Sequence, residues 1–130
     1  MLWVFCGGVL GTALRYTAED LLPHDGSRWP WATFTVNLVG AFVLGALLEG
    51  LARAGDDSGW RRRARLFAGT GFCGALTTYS TFAYEISLLG KGSHVVTAVG
   101  YGLGSVVGGV IAAWLGIVVA AGIRRRRVPS

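Results

Sequence analysis

GTGFCGALTTYSTFAYE, residues Gly69 to Glu85, carries no charge before its final Glu and puts glycines, hydroxyls and aromatic rings where a plain membrane helix would use aliphatic side chains. Inside a hydrocarbon slab every backbone polar group needs a partner. A segment rich in Gly and Thr is therefore tolerated at depth only where it is buried in protein or lines a wet cavity. The stretch reads as a functional wall and not as lipid-facing filler. Tyr79 and Phe82, three residues apart, fall on one face of a helix, and Thr77, Thr78, Ser80 and Thr81 supply hydroxyls around them. Gly69, Gly71 and Gly74 remove side chains and stiffness just upstream, so the pattern predicts a break in the helix near Gly74 to Thr78.

The rest of the chain sets this stretch in a membrane. With 52 % hydrophobic and 15 % charged residues and 21 glycines in 130, the composition is too apolar for an ordinary soluble domain and indicates an integral membrane protein. The net charge of +5 raises nucleic acid as a partner. The arginines, however, sit at the ends of apolar runs and form no stripe with interleaved aromatics, so no nucleic-acid binding is expected. Cys6 and Cys73 lie in apolar segments without metal-ligand neighbours and are expected to be reduced core residues, not a disulfide. No cleavable leader is expected, because the first apolar run lacks a basic start and leads into Arg15. There is neither a phosphate-cradling loop with Lys nor a nucleophile and base pair, so no enzyme is expected.

Four apolar runs, about 2–18, 32–48, 66–84 and 95–123, give a single four-helix transmembrane domain. Arg15, at the end of the first, is either a snorkelling interfacial arginine or a vestibule cation that attracts anions. Gly7, Gly8 and Gly11 give that helix a small-residue face for close packing. Glu19 to Pro30, with two prolines, Asp25-Gly26 and His24, reads as a loop, and Trp29 and Trp31 read as an interfacial anchor. In the second run Asn37 is the one strongly polar side chain, with Thr33 and Thr35 beside it; it makes either an interhelical hydrogen bond or a pore-lining donor. Glu49 to Arg65 reads as the main polar connection. Glu85 closes the third run, as an interfacial acid or as part of an ion path. The fourth is uncharged from Val95 to Ile123, longer than a perpendicular crossing needs, so tilt or projection is expected. Its positions 100, 104, 108, 112, 116 and 120 are Gly, Gly, Gly, Ala, Gly and Ala, a nearly flat face that another backbone can approach. Tyr101 and Ser105 share a face one turn apart.

Four crossings place both termini on the side of the 49–65 connection. That side holds Arg53, Arg61, Arg62, Arg63, Arg65 and Arg124 to Arg127, against Arg28 and Lys91 on the other, so both termini are expected in the cytoplasm.

Over nearly its whole length the chain resembles the small fluoride channels of the Fluc or CrcB family. GGVLGTALRY at Gly7 to Tyr16, WATFTVNLVGAFVLG at Trp31 to Gly45 and GTGFCGALTTYSTFAYE are similar to the family's first, second and third helix signatures. The third is the most specific, since a TTxSTF run after a Gly-rich break is hard to obtain by chance. The resemblance implies an all-α membrane protein of the cell membrane, with four transmembrane helices, a broken third helix and an antiparallel dimer of the dual-topology type. It implies a fluoride-specific channel that lets fluoride leave the cytoplasm passively, with a structural, untransported sodium ion at the dimer interface. It assigns the sodium ligands to the backbone carbonyls of Gly74 and Thr77, the pore asparagine to Asn37 and the aromatic box to Tyr79 and Phe82. It assigns the polar track to Ser80, Thr81, Tyr101 and Ser105, the vestibule arginine to Arg15, and a matching acid to Glu85.

Two departures from that pattern matter. The family's first box ring is usually Phe and here is Tyr79, whose hydroxyl would donate to the ion, trap it or narrow the path. The arginine bias is also too strong for a subunit that inserts both ways, so pairing with a homologous subunit of opposite orientation is expected. Two other readings stand beside the channel. A small four-helix multidrug exporter would need a carboxylate deep in the first span, and Leu2 to Ala18 has none. A non-conducting partner subunit of a heterodimeric channel would orient or assemble another membrane protein without passing ions itself.

Overall fold

The computed structural model describes residues 1–23, 29–77 and 79–127, without the side chains of Tyr79, Ser80, Arg124, Arg125 and Arg127. The expected loop features His24, Asp25-Gly26 and Arg28, and the hydroxyl of Thr78, lie outside the described residues. Every described element is helical: α1 (Leu2–Leu21), α2 (Trp31–Ala54), α3 (Gly59–Ala64), a π-helical segment (Arg65–Cys73), α4 (Gly74–Leu76), α5 (Tyr79–Lys91) and α6 (Val95–Arg127). Trp31–Ala54 and Val95–Ile123 are each long and apolar enough to cross a bilayer, with mean hydropathy of 1.8 and 2.4. α6 leaves Leu103, Val106, Val110 and Ile111 more than half exposed, as suits a lipid-facing surface in a membrane protein.

Two helix pairs carry the fold, and in both glycine sets the distance. α1 lies along the π segment, where a Cβ on Gly7 would run into the carbonyl of Phe67 and one on Gly11 into that of Phe72. α2 lies along α6, where Gly45 sits against the carbonyl of Ala113 and Gly116 against that of Phe42. Backbones this close need hydrogen at Cα on one side. The fourfold stripe of α6 is the surface that α2 and its lead-in rest on. Gly100 and Gly104 lie under the Trp29 ring, Gly108 meets Leu38 and Gly116 meets the backbone at Phe42.

The helices run further into polar sequence than hydropathy suggests. α1 ends at Leu21 and not near residue 18, and α2 continues through Glu49 and Arg53, which the sequence assigns to the connection. The reason is local. Glu49 and Arg53 form an ion pair one turn apart, and a cation in the last turn complements the helix dipole. Gly55, at φ 128°, then ends the helix in a conformation that side chains rarely adopt. Arg65 reaches back to Asp57 with two hydrogen bonds, Nε to Oδ1 at 3.0 Å and Nη2 to Oδ2 at 2.8 Å. This pairing ties the short 55–58 turn to the start of the π segment. The guanidinium's hydrogen bonds hold the Asp57 carboxyl below its usual range, and the carboxylate raises Arg65 in turn.

Candidate functional site

The third apolar run is where backbone and side chains depart from plain helix. Entered through Gly59 at φ 55°, the chain runs helical to Leu76, with wider turns from Arg65 to Cys73. Thr77 then takes φ −77° and ψ 150°, an extended conformation, and a new helix starts at Tyr79. The amide and the hydroxyl of Thr77 both donate to the carbonyl of Cys73, at 3.0 and 2.8 Å, which closes the end of α4. The extended ψ turns the Thr77 carbonyl away from the direction of the preceding ladder.

One turn and a half into α5, Glu85 is only 6 % exposed. Its carboxylate accepts one hydroxyl on each oxygen: Thr33 Oγ1 donates to Oε1 at 2.8 Å, and Tyr101 Oη donates to Oε2 at 2.8 Å. Thr33 comes from α2 and Tyr101 from α6, and both are wholly buried. Three helices thus meet at one acid. Hydrogen bonds to a charged group contribute about 1.5–3 kcal/mol each, which offsets part of the cost of holding a carboxyl group in an apolar interior.

Aromatic rings wall this polar knot. Phe82 lies 5.1 Å from Tyr101, centre to centre, at 54°, and Trp29 meets Tyr101 edge to face at 5.5 Å and 81°. Phe34 stands edge to face with Trp29 at 5.3 Å. The chain places Trp29 inside the protein as part of this wall, whereas Trp31 is exposed as an interfacial anchor would be. Edge-to-face packing presents the electropositive ring rims toward neighbours, a surface that suits an anion better than ring faces do.

On α2, Thr33, Asn37 and Gly40 share one face, because their spacing of four and three returns to the same side of a helix. Thr33 touches Glu85, and Gly40 takes the methyl of Thr77 against its bare Cα. Asn37, half-buried, therefore sits on the strip of α2 that runs along the Thr77 to Glu85 stretch. Ser105 lies one turn beyond Tyr101, and its Oγ is buried with no hydrogen-bond partner among the described residues. Thr81 is half-buried on α5. The first turn of α5 carries Tyr79 and Ser80, whose side chains are outside the description.

The structure thus brings Phe82, Glu85 and Tyr101 into contact and sets Asn37 and Ser105 on the adjoining faces. Arg15 belongs to α1, which packs on the π segment, α4 and α2, and its Nε is buried with no hydrogen-bond partner among the described residues. Thr33 joins this cluster through its bond to Glu85, although the sequence marked it only as a neighbour of Asn37. Its spacing of four from Asn37 within an uncharged span is the signal that would have singled it out.

Comparison with known proteins adds a family to this geometry. The model of a family described as CrcB-like protein, Camphor Resistance (CrcB), matches residues 2–117. A Leifsonia xyli subsp. xyli protein named Fluoride-specific ion channel FluC 2 is 45 % identical over 127 residues, covering 98 % of this chain and 87 % of its own length. Fluoride-specific ion channel FluC 1 of Cutibacterium acnes is 43 % identical, over 91 % of this chain and 81 % of its own. Fluoride-specific ion channel FluC 2 of Moorella thermoacetica is 42 % identical, over 94 % of this chain and 97 % of its own.

Proposed function

This chain belongs to the CrcB family, and from that membership we propose that it forms a fluoride channel through which fluoride leaks out of the cytoplasm down its own gradient. It is not an enzyme. The observation that carries the reading is the buried Thr33–Glu85–Tyr101 knot, polar groups from three helices gathered among aromatic rims beside the interruption at Thr77.

Fluoride is small and strongly hydrated, so the path has to replace its water with several donors in series. Asn37, Thr81, Ser80, Ser105 and Tyr101 supply these, and the rims of Phe82 and Tyr79 guide the ion between them. Arg15 is the vestibule cation. Thr33 and Tyr101 carry one hydroxyl proton each, so each donates either to Glu85 or to a passing ion. Glu85 keeps both hydroxyls aimed and desolvated until the ion competes for them.

In this reading the third crossing is broken at Thr77, and two subunits pair antiparallel about that break, giving two pores. A structural sodium ion is held between them by the backbone carbonyls of Gly74 and Thr77 of each subunit. The extended backbone of Thr77, where α4 stops, supports this assignment, because oxygens released from a helix ladder suit a hard cation. The ion supplies fixed positive charge and cross-links the subunits. The arginine bias gives both termini a cytoplasmic position and favours a partner of opposite orientation. Tyr79, in place of the usual ring, makes the two pores of such a dimer unequal.

The test is fluoride against chloride efflux from loaded liposomes, for the wild type, Asn37→Ala, Tyr79→Phe and Phe82→Ile, with and without a homologous partner. Fluoride flux should fall with Asn37→Ala and Phe82→Ile. If both variants conducted like the wild type, the assigned path would be wrong.

A further inference from the structure

Where α1 begins and α3 passes into the π segment, Trp3, Trp60, Arg63, Ala64 and Phe67 line a cleft of about 310 Å³. It lies at the Trp3 end of the seam that Gly7 and Gly11 close against Phe67 and Phe72. Both tryptophans are open to the surroundings, Trp60 at 63 % and Trp3 at 43 %. Arginine rims the cleft. The Arg63 guanidinium stands 5.8 Å from the centre of the Trp3 ring, and that of Arg61 stands 5.8 Å from the Trp60 ring.

The four arginines here are not equivalent. Arg65 spends its fork on Asp57, and Arg61 donates its Nε to the carbonyl of Asp56 at 2.8 Å. The charge of Arg62 acts on Asp57, whereas Arg63 is exposed and forms no ion pair with a described acid. The result is an apolar slot between two indoles and a phenyl ring, rimmed by the Arg63 guanidinium, at the end of a membrane crossing.

We propose that this cleft binds one anionic phospholipid, with its phosphate on Arg63 and the glycerol and upper acyl chain between Trp3, Trp60 and Phe67. Arginine forks match phosphate oxygens, and tryptophan is at home at headgroup depth. Charge complementarity selects the class of lipid. A zwitterionic headgroup brings an ammonium toward the same arginine rim, whereas an anionic one brings only negative charge. The site needs the chain to lie in a bilayer and is independent of which ion the protein conducts.

The experiment reconstitutes the full chain in phosphatidylcholine vesicles and reads quenching of tryptophan fluorescence by brominated phosphatidylglycerol or brominated phosphatidylcholine at matched mole fractions. Trp3→Phe and Trp60→Phe identify the part of the signal that comes from the cleft. Brominated phosphatidylglycerol should quench that part at lower mole fraction. Arg63→Gln should weaken the preference by about fivefold. Arg63→Lys, which keeps the charge, should retain most of it. Neutralising Arg126 and Arg127 should leave it intact. Equal quenching by the two lipids overturns the proposal. An equal loss from the tail variant does so too, because the attraction is then diffuse. Disulfide formation between copies of a Trp60→Cys variant would place a second subunit in the cleft instead and would also overturn it.

Discussion

Glu85 holds its place because both carboxylate oxygens are occupied, and each neighbour can be removed singly. Thr33→Val keeps the shape of the side chain but leaves Oε1 without its hydroxyl, so thermal unfolding in detergent should register a loss of about 1–3 kcal/mol. Tyr101→Phe removes the donor to Oε2 while sparing the ring contact with Phe82, and should cost a similar amount. The fluoride assay separates structure from transport. If the two hydroxyls also serve the ion, both variants should lower flux more than stability loss explains, when compared at a temperature well below either transition. Unchanged flux in both would confine the knot to a structural part.

Helix pairs give a sharper contrast, because glycines on the same helix differ only in what faces them. Gly116→Ala drives a methyl into the carbonyl of Phe42 and should force α2 and α6 apart, at a cost of about 1–3 kcal/mol or more. Gly109→Ala, with nothing within 4 Å among the described residues, should be neutral or stabilise by about 0.5–1 kcal/mol through helix propensity. Equal effects of the two on the melting temperature would contradict the packing described here. A third element-level prediction concerns acid. The Asp57–Arg65 pair depresses a carboxyl below its ordinary value of 3.8, so its contribution is fully present above that value and is lost as pH falls through the folded one. Protection of the amides of residues 55–58, corrected for the intrinsic pH dependence of exchange, should therefore fall below about pH 4 in the wild type, and Asp57→Asn should remove that dependence. Much of this scale was legible in the sequence: uncharged runs located the helices, and the fourfold spacing on α6 marked its packing face. What hydropathy missed were the helix ends, because the Glu49–Arg53 and Asp57–Arg65 pairs stabilise polar turns that a hydropathy profile scores as loop.

At the scale of the molecule the sequence fell short where contacts join distant segments. Thr33 and Glu85 are 52 residues apart, and nothing local to either names the other until α2 is laid beside α5. The wide turns of the π segment were also unreadable, since their setting is backbone pressed on backbone across Gly7 and Gly11 and not a residue preference. Charge distribution, by contrast, is a whole-chain property and is read directly. In the proposed four-crossing topology nine arginines fall on one side against Arg28 and Lys91 on the other, a strong instruction for a single orientation. In the proposed antiparallel channel that instruction has a consequence: copies that all insert the same way cannot pair with one another. A reporter fused to the C-terminus should be found only on the cytoplasmic side, and the chain expressed alone should give liposomes with little fluoride flux. Replacing Arg61, Arg62, Arg63 and Arg65 together with the four arginines of the tail by Gln should split the reporter between both sides and raise the flux of the chain by itself. A wild-type chain that alone yields a conducting antiparallel homodimer would show that the bias does not govern assembly.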